Sequence, residues 1–238
     1  IAMAADFRDD LDVSPGDVAL HEPVSLNRDE EIHDLDESAP LVVGVDQAFM
    51  DGYAVSAVVG IQAGAVVLTS TAITPLEIPY IPGLLAFREG PPIIEALADL
   101  PRDPDVLFVD GSGRIHYRQA GLATHIGVLF DVPAVGVAKN LLCGEPDRSL
   151  DTPLPQESTI PIRVDDAVEA PPGTLLGYAF QSRQFANTER RHVNPLYVSP
   201  GHRVSADTAV ALTGAVCAGY KLPEPIRLAD SLAADSKD

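Results

Sequence analysis

The chain has 238 residues, of which 46% are hydrophobic, so it can bury one sizeable core and we expect a single domain. Its 35 acidic residues outweigh 16 basic ones, giving a formal net charge of −19. It contains no apolar run of about 18 residues, and its acidic start does not resemble a signal peptide, which argues against a membrane protein and favours a cytoplasmic one.

The charge pattern is typical of proteins from halophiles, with many aspartates and only three lysines, Lys139, Lys221 and Lys237. Such a net charge keeps a protein soluble and monomeric at high salt, so we expect a monomer. An acidic chain ordinarily avoids nucleic acid, but molar salt already removes most lysine–phosphate attraction. A halophilic enzyme that acts on nucleic acid would therefore rely on metal ions and base contacts.

Residues 1–40 hold twelve acids and two arginines and therefore contribute −10 to the net charge. Their weak periodicity, with Pro15 and Pro23, predicts an extended, solvated arm with at most a short helix and no catalytic role. The two cysteines, Cys143 and Cys217, lack the spacing of metal ligands, which fits a reducing compartment. Their separation alone does not decide whether they form a disulfide.

From residue 41 the sequence turns apolar and predicts three strands, over residues 41–49, 53–61 and 65–73. Asp51-Gly52 is a strong hairpin signal between the first two strands, and Ala63-Gly64 predicts the turn before the third. Strands joined by turns this short form an antiparallel meander.

The stretch from Pro79 to Pro91 concentrates prolines and glycines around an aromatic residue. Two prolines hold Tyr80 and Ile81 in an extended segment. Pro91 and Pro92 predict the first turn of a helix that runs through residue 100, so Glu89 would stand at the helix entrance, where a carboxylate is favoured. By itself the stretch could equally be a proline-rich turn before a helix.

The rest of the chain alternates strands and helices. We predict buried strands over residues 106–109 and 134–137, a helix over 121–130 with Leu122, Ile126 and Leu129 on one face, strands over 174–181 and 194–199, and a helix from the N-cap Ser205 through residue 218. Residues 144–172 read as a surface excursion, and the last dozen residues as frayed.

This order, a meander followed by a helical crossover to a parallel strand, predicts an α/β fold of the ribonuclease H-like class, with one mixed sheet and flanking helices. We assign residues 1–40 to the arm, 41–228 to a catalytic domain and 229–238 to a tail.

Three carboxylates fall where this fold would gather them. Asp46 interrupts an apolar strand, where a carboxylate is costly unless paired or bound to a metal, and Asp110 ends the next central strand. With Glu89 between them in sequence, they would form a cluster suited to Mg²⁺. The alternative for each acid is a strand-end or turn residue without chemistry.

Basic candidates are weaker. His202 follows a strand and could reach the same edge as a general acid or base, and Lys139 follows the strand over 134–137, where it could bind phosphate. A packed or surface role is the alternative for both, and for His116.

The ordered motifs Pro79-Tyr80-Ile81-Pro82-Gly83, Phe87-Arg88-Glu89-Gly90-Pro91, Val109-Asp110-Gly111, Gly136-Val137-Ala138-Lys139 and Gly201-His202-Arg203 together resemble the endonuclease V family of deoxyinosine repair nucleases. The resemblance covers residues 41–228. It implies Mg²⁺-dependent cleavage, with Mn²⁺ as an alternative ion, of the second phosphodiester bond on the 3′ side of a deoxyinosine in DNA, and it leaves open whether inosine in RNA is also a substrate.

The same resemblance assigns roles to individual residues. Asp46, Glu89 and Asp110 would carry the metal, assisted by His202 and Lys139. Tyr80, with Ile81 and Pro82, would form a wedge in the gap left by a flipped base. The hypoxanthine pocket would be lined by Gly83, Leu85, Gly111, Leu122 and Leu142, and His116 is a further candidate substrate-binding residue. The chain departs from the family pattern at Ser112 and Tyr117, where histidine and proline are common.

Two rival functions stay open. Another nuclease of the same fold, acting on RNA, on RNA–DNA hybrids or on branched nucleic acid, would share the acids but should lack the wedge. A catalytically silent binding domain could use the acids to hold a structural cation.

Overall fold

The computed structural model describes residues 1–26, 33–76 and 85–236, and the predicted single mixed sheet is confirmed. Nine strands of the described residues form one sheet in the order β3-β2-β1-β4-β5-β9-β8-β7-β6. Their bounds are β1 Val42–Met50, β2 Tyr53–Gln62, β3 Ala65–Pro75, β4 Val106–Asp110, β5 Ala134–Ala138, β6 Glu145–Pro146, β7 Thr159–Arg163, β8 Leu175–Phe180 and β9 Leu196–His202.

The predicted meander and crossover are both confirmed. Strands β1, β2 and β3 pair antiparallel, whereas β1, β4 and β5 run parallel to one another. The parallel strands are joined by helices, as a crossover between parallel strands requires. Helices of the described residues are α1 Leu85–Ala98, α2 Leu122–Phe130, α3 Ala206–Ala215 and α4 Glu224–Asp235, with a short 3-10 turn at Thr188–Arg190.

The helices cover the two faces of the sheet in pairs. Val43 and Val109 point to the face that α1 and α2 cover, and Val42 and Phe108 point to the face of α3 and α4. This alternation is the period of two along a strand. Ser205 caps α3 as predicted, because its Oγ accepts the N–H of Thr208 at 3.2 Å.

Helix α1 starts earlier than predicted. It begins at Leu85, so Pro91 and Pro92 lie inside it and Glu89 lies one turn within the helix rather than at its entrance. Proline favours a first turn but its fixed φ is also compatible with later helical positions, at the cost of a backbone hydrogen bond. Gln47 Nε2 also donates to the Glu89 carbonyl at 3.1 Å, which ties this part of α1 to β1.

Three further predictions are wrong. Residues 144–172 are not a surface excursion, because they contain β6 and β7, and Ile160 and Ile162 are buried in a core cluster of their own. The last dozen residues are not frayed, because α4 extends to Asp235 and packs on β1 and β2. Leu129 is 56% exposed, so it does not share the buried face of Leu122 and Ile126.

The acidic arm is extended, as predicted, but it is not simply solvated. Among its described residues Val13, Val18 and Val24 are buried in the core clusters. The N–H of Val24 donates to Glu224 Oε2 at 2.8 Å, and Glu224 is fully buried and ion-paired with Arg227. The arm therefore fastens the start of α4. Cys143 and Cys217 are free thiols.

No helix in the described part of the chain has the length and apolarity needed to cross a membrane.

Candidate active site

The register of the parallel strands brings Asp46 and Asp110 level with each other. Val45 of β1 pairs with Val109 of β4, so the next residue of each strand is an aspartate. The carboxyl ends of parallel strands meet at one edge of a sheet, which is where α/β folds place ligands. Because of the strand alternation, both aspartates point to the face covered by α3 and α4.

Helix α4 brings a fourth carboxylate, Asp230, to this edge. The approach depends on Gly44, since a Cβ at that position would lie 2.1 Å from the carbonyl carbon of Pro225 in the first turn of α4. Any side chain at position 44 would push the helix away from β1. With the helix this close, the carboxyl groups of Asp230 and Asp46 share a hydrogen bond. We call Asp46, Glu89, Asp110 and Asp230 the carboxylate edge.

Asp46 is held in conditions that oppose its ionisation. Its side chain is 8% exposed, and burial raises its pKa to about 8. The charge of Asp110 and the hydrogen bond with Asp230 act in the same direction, and the N–H of Gln47, 2.7 Å from Asp46 Oδ1, only partly opposes them. A carboxyl group that stays protonated near neutral pH is one that a bound cation would ionise.

Glu89 reaches the same edge from the other face, on α1. Burial raises its pKa to about 7, against the influence of the Arg88 guanidinium, whose Nη1 lies 3.4 Å from Glu89 Oε1. The charge of Asp110 adds to the rise. Arg88 itself lies over the ring of Phe49, 4.9 Å from its centroid. Glu89 and Asp46 are therefore two carboxylates that the fold keeps partly neutral.

Lys139, directly after β5, supplies a cation beside these acids. Its Nζ donates to Asp110 Oδ2 at 2.7 Å. Burial works against its charge, but the bond to Asp110 and the charges of Asp110 and Asp46 outweigh it and raise its pKa. Lys139 therefore lies next to Asp110, within reach of the site where it is predicted to assist.

The donor set is chemically suited to a hard divalent cation, which prefers carboxylate and carbonyl oxygens. Among the described residues, however, no three histidine, cysteine, aspartate or glutamate side chains are arranged to hold a metal ion as they stand. The Gln47 side chain, whose Nε2 bonds to the Glu89 carbonyl, also has a buried Oε1 that accepts no hydrogen bond from the described residues. The oxygens fit the ion, and rotation of side chains has to complete the site.

His202 is not brought to this edge, which corrects the prediction that it assists there. It pairs with Ala134 at the start of β5, whereas Asp110 pairs with Val137, so about 10 Å of strand separates the two levels. Its Nδ1 accepts the N–H of Asp6 at 3.1 Å, which leaves Nε2 to donate to Asp131 at 3.2 Å. His202 ties the arm to the opposite end of the sheet.

The candidate base-binding residues that the structure describes lie around the loop after β4. A Cβ at Gly111 would lie 3.3 Å from the buried side chain of Leu122, so the two are in contact. The Tyr117 hydroxyl donates to the Leu142 carbonyl at 3.3 Å, and both side chains are exposed. His116 is half-buried with its ring against that of Tyr117, and burial lowers its pKa, so it is neutral at neutral pH.

The predicted wedge falls on Tyr80, Ile81 and Pro82, and with Gly83 these lie outside the described residues. Leu85 opens α1, and its side chain also lies outside the description.

Sequence reasoning missed Asp230, because the tail was expected to be frayed. One signal was available: Pro223 and Pro225 flank Glu224, and proline in a first turn with an acid beside it is a helix-start pattern.

Comparison with known proteins agrees with this geometry. A family model described as endonuclease V matches residues 24–231. An endonuclease V from Halobacterium salinarum is 57% identical over 237 residues, covering 99% of this chain and 90% of that protein. The crystal structure of human ENDOV superposes with a TM-score of 0.75 at 32% identity, covering 99% and 92% of the two chains. A Ciona intestinalis endonuclease V in complex with DNA containing an inosine followed by a ribo-adenosine superposes with a TM-score of 0.65 at 25% identity, covering 87% and 91%.

Proposed function

Because the chain belongs to the endonuclease V family and is therefore a nuclease, we propose that it recognises deoxyinosine in DNA and hydrolyses the second phosphodiester bond on the 3′ side, leaving 3′-hydroxyl and 5′-phosphate ends. The observation that carries the proposal is the carboxylate edge, where burial and mutual repulsion raise the pKa of Asp46 and of Glu89. A fold keeps such unfavourable charges together for a function more often than for stability.

Asp46, Glu89, Asp110 and Asp230 would hold Mg²⁺, or Mn²⁺ in its place. When bound, the ion supplies positive charge that offsets the repulsion, polarises the phosphate and activates water. Asp46 and Glu89 would each lose a proton to solvent on binding the ion, because a carboxylate rather than a carboxylic acid is the ligand. Lys139 turns its ammonium from Asp110 towards the phosphate, where it offsets the charge that develops during hydrolysis.

The base would enter on the α1 and α2 face. Gly111 and Leu122 would form one wall of the pocket, Leu142 would contact the ring, and neutral His116 would donate or accept a hydrogen bond at its edge. Tyr80, Ile81 and Pro82 would fill the gap in the duplex, while Gly83 and Leu85 contact the base. A flipped base costs a few kcal/mol, and a mispaired inosine lowers that cost.

Nicking of a duplex with a single deoxyinosine tests the proposal. At high KCl with Mg²⁺ we expect one nick, at the second bond 3′ to the inosine, and an intact control duplex with adenine in its place. Equal cutting of both duplexes, or full activity in EDTA, would refute it.

Inosine in RNA is a second candidate substrate, favoured by one observation: the Ciona relative was crystallised with a ribo-adenosine after the inosine. Nicking rates on two substrates that differ only in having ribose or deoxyribose 3′ to the inosine would show which nucleic acid the protein prefers. A faster nick at the ribonucleotide would make RNA the better substrate, and equal rates would leave DNA as the working assignment.

A further inference from the structure

An open cavity lies between the connection from β8 to β9 and the segment before α4. It encloses about 240 Å³ and is lined by Arg183, Gln184, Phe185, His192, Asn194 and Lys221. We call it the loop pocket. Ligand pockets for drug-sized molecules span about 300–1,000 Å³, so this one suits a single planar group.

The loop pocket is held in shape by its own side chains. Gln184 Nε2 donates to the carbonyls of Leu154 at 3.0 Å and His192 at 2.8 Å, and its Oε1 accepts the N–H groups of Phe185 and His192. One amide side chain thus closes the loop on itself. The pocket therefore has a fixed form before any ligand arrives.

An aromatic pair lines one side of the loop pocket. The rings of Phe185 and His192 lie 5.6 Å apart between centroids, and Phe185 is 47% exposed. Exposing a phenylalanine costs free energy that a stacked partner would return. Single-stranded nucleic acids stack their bases on such rings.

Positive charge accompanies this platform in a chain that is otherwise strongly acidic. Neither Lys221 nor Arg183 forms an ion pair with a carboxylate of the described residues. The Lys221 ammonium bonds instead to Asn194 Oδ1, which is neutral. Both cations remain electrostatically available to a phosphate.

The position of the loop pocket relates it to the cleaved strand. Ala138, next to Lys139, pairs with Tyr197 near the start of β9, so the connection ending at Asn194 lies at the same sheet edge as Asp110. Lys221 precedes α4 and is close enough to Lys139 for that charge, after burial, to lower its pKa. The pocket thus lies on the α3 and α4 side of the carboxylates.

We propose that the loop pocket is a nucleotide subsite: Phe185 and His192 stack the base that follows the cleaved bond on its 3′ side, and Lys221 and Arg183 bind the adjoining phosphate. The inference rests on the proposed function. With the hypoxanthine on the α1 and α2 face and the scissile phosphate at the carboxylates, a strand that continues in its 3′ direction leaves over the opposite face, where the pocket lies.

The test compares affinities for short single-stranded oligonucleotides with one deoxyinosine, in EDTA to keep the strand intact and at fixed KCl. The first oligonucleotide has a normal base after the predicted cleavage position, and the second, otherwise identical, has an abasic sugar there. For the unaltered protein we expect the abasic change to weaken binding at least about fivefold, the lower range for one stacked base. For Phe185→Ala the same change should have less than a twofold effect.

Phe185→Trp, which keeps a stacking ring, should restore the difference. Leu129→Ala, a truncation of another exposed apolar residue at the far end of α2, should leave it at the unaltered value. Equal abasic effects in the unaltered protein and Phe185→Ala would overturn the subsite, as would an abasic effect that is strongest on the 5′ side of the inosine.

The phosphate half of the subsite has its own readout. Lys221→Gln should reduce the slope of log affinity against log KCl by about 0.7, the value for one phosphate contact on a single strand. An unchanged slope would remove Lys221 from the subsite.

Failure of the subsite can be told from failure of the proposed function. If the protein nicks inosine DNA but the abasic change weakens binding equally in Phe185→Ala and in the unaltered protein, only the subsite is wrong. If inosine DNA is not nicked at all, the function is wrong, and the abasic comparison still reports whether the loop pocket stacks a base.

Discussion

The two ends of the central sheet both collect carboxylates, and they treat them in opposite ways. At the carboxylate edge, burial raises the pKa of Asp46 to about 8. At the other end, which we call the arm end, the Arg8 guanidinium bonds Asp6 and lowers its pKa to about 2. There Asp10 is paired with Arg203, and Asp131 contacts His202 and Arg203.

This contrast separates a functional cluster from a structural one. Asp6, Asp10 and Asp131 each have a cation in contact, so their charges are satisfied within the fold. The carboxylate edge has four acids and, among the described residues, only Lys139 and Arg88 as paired cations. It remains incomplete until a further cation is supplied. The comparison therefore predicts which carboxylates can be neutralised without loss of activity.

The largest effect is expected for Asp110→Asn. Removing one negative oxygen at the centre of the carboxylate edge should reduce inosine-dependent nicking by more than about 100-fold, since even outer-shell partners of metal ligands typically cost 10–100-fold. Inosine binding should survive. Nicking rates and gel-shift affinities measure the two effects.

The matched control is Asp131→Asn at the arm end, which removes the same group and should leave nicking within about twofold. If the two variants were equally impaired, the contrast between the ends would be false. Loss of folding in Asp110→Asn alone would make that acid structural.

A smaller loss is expected for Asp230→Asn, about 10–100-fold in nicking rate. Asp230 is exposed and contributes from α4, so its loss should leave folding intact. Ser231→Ala, the next residue on the same exposed side, is the control and should behave as the unaltered protein. Full activity of Asp230→Asn would mean that only Asp46, Glu89 and Asp110 of the carboxylate edge take part in the reaction.

The difference between Asp46 and Asp230 also shows which parts of the site can be predicted from local sequence. Asp46 and Asp110 could be predicted because each interrupts or ends an apolar strand, and strand order follows from adjacent turns and crossovers. Asp230 could not, because its place depends on the contact of Pro225 with Gly44, which are far apart in sequence. A glycine in a strand signals close approach without naming the partner.

Strand β7 was missed for a similar reason. Pro161 lies in the middle of it, and proline usually argues against a strand. Here β7 has only the two-residue β6 on one side, so it is nearly an edge strand and tolerates the missing donor. His202 was misplaced for a related reason: its position after a strand was predictable, but not the direction of β9, which is antiparallel to β5 and carries His202 to the arm end.

The pH dependence of Tm should also distinguish the carboxylate edge from the arm end. Between its ordinary pKa of 3.8 and its folded pKa of about 8, Asp46 binds a proton in the folded state but not in the unfolded state. Metal-free protein should therefore lose stability as pH rises through this range. Asp46→Asn should remove that loss and raise Tm relative to the unaltered protein at pH 8, by on the order of 5 °C.

The difference between Asp46→Asn and unaltered protein should shrink as the pH falls towards 3.8, because Asp46 stays protonated in the folded state while the unfolded chain approaches half protonation there. Mg²⁺ should raise Tm of the unaltered protein at pH 8 more than that of the variant. A variant that is less stable than the unaltered protein at pH 8 in EDTA would show that Asp46 is stabilising, contrary to its burial.

The smallest effect is expected at the arm end, for Asp10→Asn. Asp10 Oδ2 lies 2.9 Å from Arg203 Nε, but its side chain is 68% exposed, so solvent screens the pair. An ion pair of this kind contributes about 0.2–1 kcal/mol, and molar KCl should reduce it further. Chemical denaturation at low and high KCl should show a small loss that fades with salt, and nicking should be unchanged. A change in nicking would mean that the arm acts on the distant carboxylates, most directly through its contact with Glu224 at the start of α4, and the two ends of the sheet would then have to be treated as one coupled system.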